Sequence, residues 1–187
     1  MIAFAFCGSF CNHTEALLQL DALVRAGNEV LPVFSERVQH TDTRFGRGAD
    51  LIMQAETICG RQGIKSVTEA EKQITGGTIS CLAVAPCTGN TLAKAALGIT
   101  DGTVTMAVKA QLRNKRPVLI ALASNDALSG GLKNIAAMLE RKNVYFVPMR
   151  QDDPPKKPSS LVCDWPKLPD CVAAAIEGRQ LYPIIVA

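Results

Sequence analysis

Residues Val84 to Asp101 read VAPCTGNTLAKAALGITD, and the reading of this stretch decides the fold. An apolar run, Ile79 to Ala85, enters it as a buried-looking strand, and a helix-forming run, Leu92 to Leu97, leaves it. Between them lie Pro86, Gly89 and the polar residues Thr88, Asn90 and Thr91. The unit is a strand, a turn and a helix, with Thr88 or Asn90 expected as the helix cap. The first amides of a helix have no partner inside it and carry partial positive charge, so the turn suits an oxygen-rich anion as well as a plain cap.

The same unit recurs on either side. Ile2 to Phe6 is an apolar run that ends at Cys7-Gly8-Ser9, and Asn12 stands three residues before Glu15, the spacing of a capping box. Ala16, Leu17, Leu20, Leu23 and Val24 follow a helical period that Gly27 stops. Glu29 to Phe34 reads as the second strand and Ala49 to Cys59 as a helix closed by Gly60, with a shorter helical piece at Val67 to Gln73. Gly102 to Lys115 is the next helix, and Pro117 to Ala123 is a continuous apolar run of the kind buried on both faces of a parallel sheet. Leu132 to Lys142, Val144 to Pro148, Leu168 to Arg179 and Tyr182 to Val186 complete the alternation. Strands and helices alternating in this way, joined by right-handed crossovers, predict an α/β domain: a Rossmann-like three-layer sandwich around a doubly wound parallel sheet, one domain over 1–187. The segment 151–160, QDDPPKKPSS, holds three prolines and fits neither a helix nor a central strand.

Bulk composition excludes several classes. A net charge of +3 without a basic stripe interleaved with aromatics does not point to nucleic acid. No apolar run approaches the ~18 residues of a membrane span, and the N-terminus lacks the basic region of a signal peptide. The seven cysteines are odd in number and scattered, and no close pair with His completes a zinc site. Reduced core thiols and a cytoplasmic location are expected, with no metal. In an open α/β sheet, ligands bind beyond the carboxyl ends of the strands. Those ends carry Gly8-Ser9, the polar loop Ser35 to Gly48, the turn after Ala85, and Ser124-Asn125-Asp126.

Pro86, Asn90, Thr91, Ala93-Lys94, Gly98 and Asp101, with Thr88 in place of a serine, resemble the signature of the flavin-binding cysteine decarboxylase superfamily. Its turn reads Pro-Ala-Ser-Ala-Asn-Thr. Further local matches are Gly8-Ser9-x-Cys11, Thr43-Arg44-Phe45-Gly46, Ser124 to Leu128, Gln151-Asp152-Asp153-Pro154 and Lys156-Lys157-Pro158. Together they make the chain similar to one branch of that superfamily, the flavoprotein-like subunits of dipicolinate synthases.

The resemblance implies a set of roles. Gly8 and Ser9 would contact the phosphate of FMN, with a hydroxyl from Ser35, Thr41 or Thr43. Pro86, Thr88, Asn90 and Thr91 would line the flavin. Asn125 stands where the decarboxylases' Pro-Ala-Met-Asn motif recognises a substrate carboxylate, and Arg44, Lys156 and Lys157 are candidate cations for a small dicarboxylate. The implied partner is the A-type subunit of dipicolinate synthase, which resembles a nicotinamide-binding dehydrogenase. A homo-oligomer, trimer or dodecamer, is the implied assembly. Two departures stand out. No histidine occupies the place of the decarboxylases' catalytic one, since His40 precedes the second long helix, and the Pro-rich segment replaces their substrate clamp. Three readings follow: a subunit of an oxidoreductase that aromatises a dihydrodipicolinate-type precursor, a flavin-dependent decarboxylase of a cysteinyl-type acid, and a non-catalytic protein that stabilises the A-type partner. No catalytic residue is assigned at this level.

Overall fold

In the computed structural model, which describes residues 1–186, the apolar runs are the strands β1 (Ile2–Phe6), β2 (Val30–Phe34), β3 (Cys81–Cys87), β4 (Val118–Ser124) and β5 (Val144–Phe146). Ala187, the last residue of the expected domain, lies outside the described residues. The strands pair in parallel in the order β2-β1-β3-β4-β5. Every residue of β1, β2 and β3 is buried, because helices cover both faces of the sheet. The alternation of side chains divides each strand between two cores. Ala3 and Ala5 join one cluster, while Ile2, Phe4 and Phe6 join the other. Phe4 and Phe6 are fully buried, and each such side chain contributes roughly 1.5–3 kcal/mol of apolar burial.

On the first face lie α4 (Val67–Thr75), α5 (Gly89–Leu97), α6 (Thr103–Arg113) and α7 (Leu132–Leu139). The opposite face carries α1 (His13–Arg25), α3 (Gly48–Cys59) and α8 (Leu168–Ile176). A short α2 (Glu36–Gln39) follows β2. The expected three-layer sandwich is therefore observed. Its sheet also carries an antiparallel extension that the sequence pattern does not announce: β6 (Met149–Arg150) and β7 (Leu161–Cys163) pair with each other, and β7 pairs with the end of β4. The Pro-rich segment 151–160 is the irregular connection between them. Tyr182 to Val186 forms no strand of its own; Ile185 makes a single bridge to Met149.

Several helix ends follow the expected chemistry. Gly60 and Gly98 cap α3 and α5 with φ of +63° and +73°, a conformation that costs glycine little. Ser66 and Glu69 form a capping box at α4. Asn12 corrects the expectation for α1. It occupies the cap position, but its side chain makes no cap bond; its Nδ2 donates to Ser9 Oγ at 2.9 Å. A 3-10 turn, Phe10–Asn12, runs directly into α1 and leaves the asparagine aimed back at the loop. Among the described residues no helix is long and apolar enough to cross a membrane, and no group of His, Cys, Asp or Glu is arranged to hold a metal ion.

Candidate functional site

The order of the parallel strands reverses between β1 and β3, and the carboxyl ends of those two strands flank a crevice. Gly8 follows β1 and Thr88 follows β3. Thr88 is the N-cap of α5, which settles the choice between it and Asn90: its Oγ1 accepts from the Thr91 amide at 3.1 Å and is bonded to Thr91 Oγ1 at 3.0 Å. The Gly89 and Asn90 amides have no protein acceptor among the described residues, so the helix presents two free donors to the crevice.

Two cavities open there. One, of about 430 Å³, is lined by Gly8, Ser35, Arg37, Thr88, Asn90, Thr91 and Lys94 together with the start of α6. The other, of about 720 Å³, runs from Gly8, Ser9 and Asn90 past Ser124-Asn125-Asp126 to the β6–β7 extension. Gly8, Thr88 and Asn90 line both, so the two are halves of one groove. Their size is that of small-molecule and cofactor sites.

Close packing gives the glycines their purpose. A Cβ on Gly8 would lie 2.9 Å from Arg37 Cγ. A Cβ on Gly89 would lie 2.5 Å from Ser124 Oγ and 2.8 Å from Asp126 Oδ1. In the first cavity Ser35 caps α2 by accepting from the Val38 amide at 3.4 Å, which leaves its O–H to donate into the cavity. The Arg37 guanidinium has no ion pair or hydrogen bond among the described residues, whereas Lys94 is committed to Asp101 at 2.8 Å. In the second cavity Ser124 Oγ donates to Asp126 Oδ1 at 2.5 Å, and Lys157 Nζ donates to Asp152 Oδ2 at 2.8 Å. The Asp152 pair holds the Lys157 ammonium in its charged form.

Of the residues singled out in the sequence, Gly8, Ser9, Ser35, Thr88, Asn90, Thr91, Asn125 and Lys157 meet in this groove. The others do not. Pro86 is buried in β3, after a cis peptide bond. Thr41 lines neither half. Thr43 lines a separate, smaller cavity of about 100 Å³ with Phe45 and His13. Arg44 stacks its guanidinium over the Phe45 ring at 4.8 Å, and Lys156 is exposed beyond the groove. Of the three hydroxyls offered after β2, Ser35 is thus the one that reaches the crevice, because it immediately follows the strand. Sequence reasoning missed Arg37, Arg150 and Trp165, which line the groove from segments with no local motif. No local pattern in the sequence marks them, since β6 is only two residues long.

Neither histidine reaches the groove. His13 is held by Cys7 O at 2.8 Å, and burial lowers its pKa. His40 faces a shallow hollow between α2 and α3.

Comparison with known proteins agrees with this fold. Residues 3–180 match the family model described as Flavoprotein. The chain is 40% identical over 185 residues to the B subunit of dipicolinate synthase from Bacillus subtilis, covering 99% of this chain and 92% of that one. The crystal structure of the B subunit of dipicolinate synthase from Bacillus halodurans superposes with a TM-score of 0.90 at 37% identity, over 100% of this chain and 95% of that one. SpaF, described as an FMN-dependent cysteine decarboxylase, shares the fold with a TM-score of 0.71 at 19% identity, over 95% of both chains.

Proposed function

From a chain that belongs to the Flavoprotein family, we propose a working B-type subunit of a dipicolinate synthase. In this reading it holds FMN in the groove and contributes, together with the A-type partner, to oxidising a dihydrodipicolinate-type precursor to dipicolinate during sporulation. The observation that carries the proposal is the groove itself: two cavities joined at Gly8, Thr88 and Asn90, with a free cation and hydroxyl at one end and Asn125 at the other. The full-length likeness to a dipicolinate synthase subunit supports the same reading.

The donor set fits FMN. The Ser35 hydroxyl and the Arg37 guanidinium in the smaller cavity would hold its phosphate, with Ser9 in the larger cavity on the other side of Gly8, which lets the backbone approach closely. Thr88, Asn90 and Thr91, with the two free amides of α5, would supply the donors and acceptors that hold the flavin. When bound, the flavin supplies a hydride acceptor. The chain's own residues orient the substrate: Asn125 donates its amide to a carboxylate, while Lys157 at the rim is paired with Asp152. The narrow walls around Gly89 hold Ser124 and Asp126 against the start of α5.

A cysteinyl decarboxylase is the weaker reading, because neither histidine lines the groove. Assembly into a homo-oligomer, a trimer or a dodecamer, belongs to the same proposal. Exposed Leu97, Leu132 and Leu139 on the neighbouring helices α5 and α7 supply apolar surface for it. The test is dipicolinate formation by the A-type partner alone and with this chain added. Turnover that rises only with the chain supports the proposed role. Equal turnover by the partner alone reduces the chain to a non-catalytic companion.

A further inference from the structure

The larger half of the groove has two cations in its wall, and they differ in availability. Lys157 is tied to Asp152 at 2.8 Å. Arg150 has neither an ion pair nor a side-chain hydrogen bond among the described residues, although it lines the same cavity. Its placement comes from the antiparallel β6–β7 extension. Met149 pairs with Cys163 and Arg150 with Val162. Met149 is also fixed on its other edge, donating to Ile184 O at 2.8 Å and accepting from the Val186 amide at 2.9 Å. Met149 is buried, and successive strand residues point to opposite sides, so the register that buries it turns Arg150 outward.

A second observation marks the same wall as unfinished. The indole Nε1 of Trp165, a cavity-lining residue, is buried with no acceptor among the described residues. A buried donor without a partner is costly. The other donors that line the cavity are the Asn125 side chain and the amides of Gly89 and Asn90, while the Ser124 hydroxyl is already spent on Asp126.

We propose that Arg150 is the carboxylate anchor that selects a dicarboxylate over a monocarboxylate in this cavity. Its planar guanidinium grips one carboxylate through two parallel bonds, and Asn125 with the α5 amides takes the other. Lys157, already neutralised, sets only the local field. The proposal rests on the dicarboxylate reading given above and adds the residue that enforces it.

The test titrates pyridine-2,6-dicarboxylate and pyridine-2-carboxylate into the chain mixed with FMN and the A-type partner, subtracting the signal of that partner alone. Arg150→Met, Arg150→Lys and Lys156→Met are compared with the unaltered chain, and FMN affinity is measured for each. Arg150→Met should weaken the dicarboxylate about tenfold or more and erase its advantage over the monocarboxylate. Arg150→Lys should recover part of it, and Lys156→Met should change nothing, all with FMN affinity unaltered. Dicarboxylate binding that survives Arg150→Met undiminished overturns the anchor and leaves the function standing. An unaltered chain that binds neither acid overturns both.

Discussion

Glu36 Oε1 accepts hydrogen bonds from both the amide and the hydroxyl of Thr103, each at 2.8 Å. The carboxylate at the start of α2 thereby occupies the positive end of α6, which other anions would otherwise seek. It also fills the space against Gly102, where a Cβ would meet Glu36 Oε2 at 2.8 Å. That end of the groove is thus closed to a second anion, which leaves Ser35 and Arg37 as the donors of the smaller cavity available to the proposed phosphate. Glu36→Ala should cost about 1–2 kcal/mol, a fall of roughly 2–4 °C in Tm per kcal/mol for a domain of this size. Thermal unfolding with and without phosphate reads it: phosphate should recover more stability in the variant than in the unaltered chain.

Thr88 sets where α5 begins. Thr88→Ala removes the acceptor for the Thr91 amide and should cost about 1 kcal/mol, while Thr88→Ser should cost a few tenths. Urea unfolding midpoints compare the two. Equal losses would mean that the hydroxyl is not the cap that matters.

Gly89→Ala places a methyl 2.5 Å from Ser124 Oγ and 2.8 Å from Asp126 Oδ1. The helix itself tolerates alanine, so the effect falls on the groove. Displacing the Ser124–Asp126 pair should cost about 1–3 kcal/mol, and a cost of that size felt at the site lowers FMN affinity by about five- to 150-fold. Fluorescence titration of FMN checks it, with far-UV circular dichroism expected to be unchanged.

Burial raises the thiols of Cys7, Cys81 and Cys171 to about 12 and that of Cys59 to about 11. A thiol with a raised folded-state pKa contributes fully below its ordinary value of 9.0. That contribution is lost as the pH climbs from there towards 12. Tm should therefore hold below pH 9 and fall between 9 and 11. The fall should be shallower in a Cys7→Ala, Cys81→Ala double variant. At neutral pH exposed Cys11 should react first with a thiol reagent.

The layers of the fold were legible because they depend on local pattern. β1 to β4 are continuous apolar runs, and Gly27 and Gly60 end helices where only a left-handed residue continues cheaply. The turn at Thr88 was legible for the same reason. The β6–β7 extension was not, since strands of two and three residues are too short to show a period. Arg37 and Arg150 escaped because a lone cation carries no motif; what distinguishes them is the lack of a partner, a fact of three dimensions. Arg44 and Lys156 looked equally suitable in the sequence, yet one lies on Phe45 and the other outside the groove. Asn12 had the right spacing for a capping box, and the 3-10 turn before it redirected the side chain.

The most direct test is to incubate the purified chain with FMN, remove free flavin by gel filtration, and record its visible spectrum before and after anaerobic addition of the dihydrodipicolinate-type precursor with the A-type partner. The chain should emerge carrying the absorbance of oxidised flavin, and the precursor should bleach it. A colourless chain, or a flavin band that the precursor leaves unchanged, would contradict a flavin-holding protein that takes part in the oxidation.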